Sequence, residues 1–421
     1  MTSHTRWLRW MAVVLSLTAA FWTLATWPGE ILPDTRVQYL EGAAGVYTNA
    51  HPALLSWLLG RSVSLAGDTG PLLLIVMATA AAGLWGLAKT VPDRGGARVA
   101  FVVLALFPLG WAQLAAVLKD AWSLALLFVA LALLASRRPW MAAVAAALMC
   151  CFRHNSIAMV PALAGFAAWQ LRPTPGRAVA TALGMVVLSL ATPTLVDRAL
   201  DVQDGHPTVP SLVFDVAGVY LGRQEAYDSG PYTEMVPYAE IKKRYTPKTA
   251  RYLTSDVRGL AGWRHGDFDT AEQNTQLKAE WVRVVTTWPA AWAQHRLDVA
   301  AQYFSVTPFE PYYESSKDKA KTLPQSRGKG PLWQAAHSLR GAVRFTGNGL
   351  FWGVATLVLG LWALRRRDAF GVAVFLVALG NEVANVLAAP STPFRYHVPC
   401  IAGVIVLFPR TFWSNRAPPS P

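Results

Sequence analysis

The chain has 421 residues, 53% of them hydrophobic and only 15% charged, with a formal net charge of +13. A soluble domain carries about 25% charged residues, so this composition excludes an ordinary soluble globular protein. Apolar runs of about 16–20 residues recur along it, the mean hydropathy is +0.29, and eighteen tryptophans suit anchoring at a membrane interface. The sequence therefore predicts an all-α integral membrane protein.

Ten apolar segments are predicted as transmembrane helices, at 8–27, 71–89, 98–117, 121–136, 140–152, 156–171, 178–196, 349–364, 369–388 and 398–413. Arg6 and Arg9 precede the first, and no small-residue cleavage site follows it, so it reads as a retained signal anchor. The connections alternate in character. One set is short and basic: Arg6, Arg9, Lys89, Arg94, Arg98, Arg137, Arg138, Arg172, Arg177, Arg365 to Arg367, Arg410 and Arg416, against two acids, Asp93 and Asp368. The positive-inside rule makes these connections and both termini cytoplasmic. Most of the excess positive charge is thus a topology signal, which argues against a nucleic-acid partner. Cys150, Cys151 and Cys400 all fall in apolar runs, so no disulfide framework is indicated.

The first opposite-face loop spans 28–70 and holds PDTRVQYLEGAAGVYTNAHP, with Asp34, Arg36, Glu41 and His51. After His51–Pro52, Leu54, Leu55, Leu58, Leu59 and Val63 repeat at helical spacing and predict a surface-lying amphipathic helix. Segments 140–152 and 156–171 are short for full spans. The first covers only about 20 Å of a roughly 30 Å core. They are expected to form a hairpin that brings Arg153 below the outer surface. The stretch 197–348 has ordinary polar composition, with 19 basic and 17 acidic residues. It reads as one α-rich extracytoplasmic domain, with helical patches at 272–287 and 289–304. The predicted organisation is an N-terminal transmembrane module over 1–196, this outer domain, and a C-terminal transmembrane module over 349–421.

The polar groups on the outer side are Asp34, Arg36, Glu41 and His51; Lys119 and Asp120; Arg153, His154 and Asn155; Glu382 and Asn385; and Arg395, Tyr396 and His397. Ionisable groups at membrane depth are costly and normally face a cavity. A carboxylate among several cations suits transfer of a group from an anionic carrier: the carboxylate takes a proton from an acceptor hydroxyl, and the cations hold a leaving phosphate. Structural readings compete at each position. Asp34 could be a helix N-cap, and Lys119–Asp120 a snorkelling pair and cap. His154 and Asn155 could cap a turn, and His51–Pro52 could simply start the amphipathic helix. Glu382 with Asn381 and Asn385 could be a buried hydrogen-bond cluster, and Arg395–Tyr396–His397 could be interfacial anchors. Asp34 and Glu41 could share a divalent cation such as Mg or Mn, a weak signal at a spacing of seven. No Gly-rich phosphate loop, HExxH, GxSxG or zinc-spaced His/Cys cluster is present. In the large domain, Tyr220, Tyr227, Tyr232, Trp263, Trp281, Trp288 and Trp292 could stack on sugars or form core.

Several of these stretches carry a resemblance: PDTRVQYLEGAAG after the first span, HPALLSWLLGR, LKDAWSLALLFVALALL, FRHNSIAMVPAL, WPAAWAQHRLDVAAQYF and FRYHVPC. Their order and shared sidedness resemble polytopic glycosyltransferases of the C superfamily (GT-C). These use polyprenyl-phosphate-linked sugars and include the protein O-mannosyltransferases and the lipid A aminoarabinose transferase. The resemblance implies a GT-C-like fold, Asp34 as general base, and Lys119, Arg153 and Arg395 facing the lipid phosphate. It implies Asp120 as a second acidic position orienting base or acceptor, and inversion at the anomeric carbon. Two departures stand out: Thr35 follows Asp34 where many members have a second acid, and Ala53 follows Pro52 where some have a second proline. The expected protein is an inner-membrane enzyme with membrane lipid around it, a polyprenyl-phosphate-sugar donor and a cell-envelope glycan, lipid or protein as acceptor. A transporter or flippase of a lipid-linked saccharide is the alternative. It would favour charged or broken helices at mid-membrane and internal repeats, and no repeat is seen. An envelope scaffold with the outer domain as binding module is a third reading, which leaves Arg153 and Glu382 unexplained.

Overall fold

The computed structural model describes residues 3–255, 259–268, 270–305, 330–343, 346–391 and 394–413. Among these the backbone is helical, with isolated bridges and no β-strand. The first part runs α1 Ser3–Thr26, α2 Pro33–Ala44, α3 Ala53–Ala66, α4 Gly70–Ala88, α5 Gly95–Ala105, α6 Pro108–Ala115, α7 Lys119–Ala135, α8 Pro139–Phe152, α9 Val160–Gln170 and α10 Pro175–Ala199. It continues through α11 Val209–Gly222, α12 Gln224–Asp228, α13 Tyr238–Arg244, α14 Arg251–Thr254, α15 Ala271–Thr287 and α16 Pro289–Tyr303. The last four are α17 Pro331–Ala342, α18 Gly349–Arg365, α19 Ala369–Ala388 and α20 Val398–Trp413.

Five helices among the described residues are long and apolar enough to cross a membrane: α1, α4, the pair α5–α6, α10 and α19. Each of the ten predicted apolar segments is helical, with one interruption. Segment 98–117 breaks at Leu106–Phe107, because Pro108 has no N–H to continue the ladder and instead opens α6. The amphipathic helix is α3, which buries Leu55, Ser56 and Leu59 and leaves Arg61 and Leu65 exposed. The hairpin is also present. α8 and α9 have 14 and 11 residues, joined by the 3₁₀ turn His154–Met159. At 1.5 Å per residue they reach about 21 Å and 17 Å, short of a bilayer core.

The chain forms two compact units: 1–203 with 306–382 and 395–421, and 204–305 with 383–394. α17 packs on α1 and α6 of the first unit.

In the first unit α7 is buried on nearly every side, against α4, α6, α8 and α20. The loop after α1 is fastened to its beginning. Glu30 pairs with the 116 region: Glu30 N donates to Ala115 O (3.1 Å) and Val117 N to Glu30 O (3.2 Å). Gly29 stands at φ +117°, with Val117 where a Cβ would fall. The buried Thr35 hydroxyl adds a bond to Val117 O (2.9 Å). The far end of the loop is also tied: Asn49 N donates to Gln203 O (3.1 Å) and Gln203 N to Tyr47 O (2.9 Å). Between these ties α2 crosses α3 backbone to backbone. A Cβ on Gly42 would lie 2.1 Å from Ser56 O, and one on Gly60 would lie 2.3 Å from Gly42 O. Small residues allow such close crossings. The two acids of the basic connections are structural: Asp93 pairs with Arg98 (2.5 Å), and Asp368 takes both Nε and Nη2 of Arg410 (2.9 and 2.8 Å).

In the second unit α11 is the central helix, with Val213, Phe214, Val216, Ala217, Val219 and Tyr220 buried beneath α12–α16. Tyr220, Tyr227, Tyr232 and Trp263 belong to this core, which removes them from a sugar-stacking role. Asp215 on α11 is buried. It accepts from Trp281 Nε1 (2.8 Å) and faces Arg296 Nη2 (2.7 Å) and His295 Nε2 (3.1 Å). Tyr245 OH lies 2.6 Å from the other imidazole nitrogen.

Two outcomes test this packing. Gly42→Ala forces α2 off α3 and is expected to destabilise the protein by about 1–3 kcal/mol, read by thermal unfolding in detergent; an unchanged transition would contradict the crossing. Burial pushes the Asp215 carboxyl up, but the His295 and Trp281 hydrogen bonds and the Arg296 charge outweigh it and leave it below its ordinary value. Its stabilisation is therefore present above about pH 4 and is lost as pH falls through the folded value. In Asp215→Asn this acid-side component of unfolding is expected to disappear.

Candidate functional site

The N-terminus of α7 gathers side chains from separate parts of the first unit. α7 opens LKDAW, with Leu118 in the capping position and no side-chain cap, so Lys119 and Asp120 are the first two helical residues and neither is the cap. The same holds for Asp34: Leu32 occupies the cap, Pro33 starts α2, and Asp34 sits in the first turn. There the helix dipole favours its anionic form. The Glu30–Val117 bridge places these two helix starts side by side.

Lys119 Nζ lies 3.3 Å from Asp34 Oδ2 and donates to His51 Nδ1 at 3.1 Å. Both members of the ion pair keep some exposure, 16% for the Lys119 side chain and 24% for that of Asp34. Asp120 turns the other way and pairs with Arg153 Nη1 at 2.5 Å, with both side chains almost fully buried. Arg153 is the residue at which the α8–α9 hairpin turns. Its backbone is extended, and its guanidinium lies over the Tyr396 ring, 4.7 Å from the centroid. Its Nη2 is buried with no hydrogen-bond partner among the described residues. Beside the pair, the hydroxyls of Ser123 and Ser156 meet at 2.9 Å and fasten the hairpin turn to α7.

The predicted cluster on α19 and α20 joins this network. Asn381 Nδ2 donates to Tyr396 O (2.8 Å) and to Glu382 Oε1 (3.2 Å), and His397 Nδ1 lies 2.8 Å from Glu382 Oε2. Glu382 and His397 are both buried. They are remote from Asp34 in sequence, and they fix the backbone that presents Tyr396 to Arg153. Asn385 falls in the second unit. The Arg395 side chain lies outside the described residues.

Glu41 has a structural task. One oxygen accepts from Thr48 Oγ1 (2.6 Å) and the other from Ser56 Oγ (2.7 Å), which ties α2 to the loop and to α3. With Glu41 engaged by two hydroxyls and Asp34 paired with a lysine, the two carboxylates do not form a cradle for a divalent cation. Among the described residues no group of three or more His, Cys, Asp or Glu side chains could hold a metal ion.

His154 and Asn155 are exposed at the hairpin turn. The His154 side chain is accessible to solvent yet dense with protein neighbours. That crowding and the Lys119 charge lower its pKa, while the Asp197 charge and a hydrogen bond with the Asn49 backbone act upward. Asp197 and Asn49 thus lie close to His154. A separate cavity of about 390 Å³ lies between α1 and α4, lined by Leu15, Ala19, Thr23, Leu74, Met77 and Trp85 among others. It is apolar and carries none of the ionisable residues named here.

Three features of the frame escape a sequence reading. Glu30 takes a forked contact from Arg340 Nη1 on α17, at 2.9 and 3.1 Å, across 310 positions. Thr35 and Gln38 act through backbone carbonyls, those of Val117 and Pro52. Asp197 stood in the sequence only as the first residue of a polar stretch. Comparison with protein families, curated proteins and solved structures gives no match to this chain.

Removing one member of a buried ion pair destabilises far more than replacing both with apolar groups. Arg153→Met, which takes away the cation facing Asp120, is expected to lower stability by about 3–5 kcal/mol. The double variant Asp120→Leu/Arg153→Met is expected to recover most of it in denaturant unfolding. Equal losses in the single and double variants would contradict the pairing.

Proposed function

We propose that this protein is an inner-membrane glycosyltransferase, with both termini cytoplasmic. It moves a sugar from a polyprenyl-phosphate donor to a cell-envelope acceptor on the outer face. The observation that carries this reading is the meeting of Asp34, Lys119 and His51 with Asp120 and Arg153 around one helix start. These come from four stretches of chain and form an alternating set of carboxylates and cations, partly open to solvent.

The arrangement suits a single displacement. Asp34 removes the proton from an acceptor hydroxyl as that oxygen attacks the anomeric carbon from the side opposite the phosphate. The bond between the anomeric carbon and the phosphate oxygen breaks, and its electron pair leaves with polyprenyl phosphate. Lys119 stabilises the growing charge on that phosphate, and Arg153, held by Asp120 and Tyr396, adds a second cation. The anomeric configuration inverts. Asp34 is a suitable base because its exposure leaves room for an acceptor. Asp120, almost fully buried against Arg153, holds the cation and does not itself meet acceptor.

The test is turnover of polyprenyl-phosphate sugars by protein in nanodiscs, followed as release of polyprenyl phosphate. Asp34→Asn is expected to lose about 10²–10⁴-fold in rate while still binding polyprenyl phosphate. Unchanged turnover in that variant would remove Asp34 as the base. Saccharide movement across the membrane without release of polyprenyl phosphate would favour a transporter.

A further inference from the structure

The Lys119–His51 contact assigns a role that the proposed transfer chemistry does not by itself require. An ammonium has three N–H donors and no acceptor, and an imidazole nitrogen accepts only when it carries no proton. For Lys119 Nζ to donate to His51 Nδ1 across their 3.1 Å contact, the His51 proton must stand on Nε2 and the ring must be neutral. Lys119 is then shared. One N–H serves His51, one points to Asp34 Oδ2 at 3.3 Å, and the third has no acceptor among the described residues. The 3.3 Å separation is longer than the 2.7–2.9 Å of a tight charge-assisted bond.

The setting supports this role. His51 is half-buried and precedes Pro52, the residue that caps α3. Gln38 Nε2 binds Pro52 O at 3.2 Å, so the ring is carried on a fastened turn. Among the charged groups, Lys119 from α7 contacts the ring directly, Asp34 from α2 shares that ammonium, and His154 at the hairpin turn feels the charges of Lys119 and of Asp197 from α10. Glu41 is occupied by Thr48 and Ser56, and His154 is held below its usual value in part by Lys119 itself. The Lys119 ammonium at 3.1 Å opposes protonation of His51.

We infer that neutral His51 is a positioning residue: it holds the Lys119 ammonium between Asp34 and an incoming phosphate monoanion or diester, keeping Asp34 basic enough to act. This rests on the proposed transfer reaction. When the lipid phosphate takes the third N–H, Lys119 is drawn further from Asp34, and the carboxylate gains basicity in the complex that needs it. Protonation of His51 destroys the acceptor and places a second cation beside Lys119. The site then loses its geometry as pH falls through the histidine range, about 6.5 for a free imidazole.

Asn places an amide oxygen near the Nδ1 position and does not titrate, whereas Leu offers no acceptor. In the turnover assay, wild type is expected to lose rate on the acid side with a midpoint in the histidine range. His51→Asn is expected to stay within about threefold of wild type at pH 8 and to lack that limb. His51→Leu is expected to fall about 10–100-fold, the scale of a misplaced group. An unchanged acid limb in His51→Asn, or full activity in His51→Leu, would overturn the inference. A ligand-free measurement keeps it separate from the proposed reaction: nitrogen-15 NMR of histidine-labelled protein at pH 8, with His51→Asn identifying the signal. An unprotonated Nδ1 that becomes protonated in Lys119→Met supports the contact. An Nδ1 that carries the proton in wild type overturns it, whatever donor the enzyme uses.

Discussion

The arrangement around α7 depends on one backbone pairing, that of Glu30 with Ala115 and Val117. Two hydrogen bonds would be a slight tether in water. Here they are reinforced by Gly29, whose positive φ lets the chain lie against Val117, by the buried Thr35 hydroxyl on the Val117 carbonyl, and by Arg340 gripping the Glu30 carboxylate. Together they set the first turn of α2 beside the first turn of α7. Two helix N-termini in one place supply two positive dipole ends, which explains why acidic residues sit in both first turns and why an anionic ligand would be tolerated between them. Thr35 follows Asp34 directly at this junction. Its side chain faces inward to Val117, so a carboxylate there would need a different loop path.

The two ion pairs divide the work by burial. Asp120–Arg153 is almost sealed from solvent, and a buried pair of this kind adds little net stability while making the loss of one partner severe. Its value lies in fixing Arg153 over Tyr396 at the turn of a hairpin too short to cross a bilayer. Glu382, His397 and Asn381 hold the Tyr396 side of that contact. Asp34–Lys119 is looser and more exposed, and it shares its ammonium with His51. The rigid pair frames the site, and the loose pair is the one able to exchange partners with a ligand.

Much of the helical fold was legible in the sequence, because apolar run length and charge alternation are properties of contiguous residues. The ten segments, the amphipathic helix after His51–Pro52 and the hairpin around Arg153 were all found that way. Arg153 stood out since a cation between two short apolar runs has few structural excuses. The break at Pro108 is hidden by an apolar run that continues past it, and α11 is hidden because its burial comes from the packing of α12–α16 around it. Candidate residues were legible by type, but their partners were not. Nothing local signals that Lys119 meets His51, that Glu41 is consumed by Thr48 and Ser56, or that Arg340 reaches Glu30. The buried Asp215–His295–Arg296–Trp281 set was missed for the same reason: it joins one helix to two others that the sequence spaces 66 to 81 positions away.

The central claim is that the start of α7 receives a lipid phosphate. An experimental structure of the protein in nanodiscs with polyprenyl phosphate bound tests it most directly. The account predicts a phosphate oxygen within hydrogen-bond distance of Lys119 Nζ, with the Lys119–Asp34 separation longer than the 3.3 Å of the free protein. A phosphate bound away from Lys119, with that pair unchanged, would contradict it.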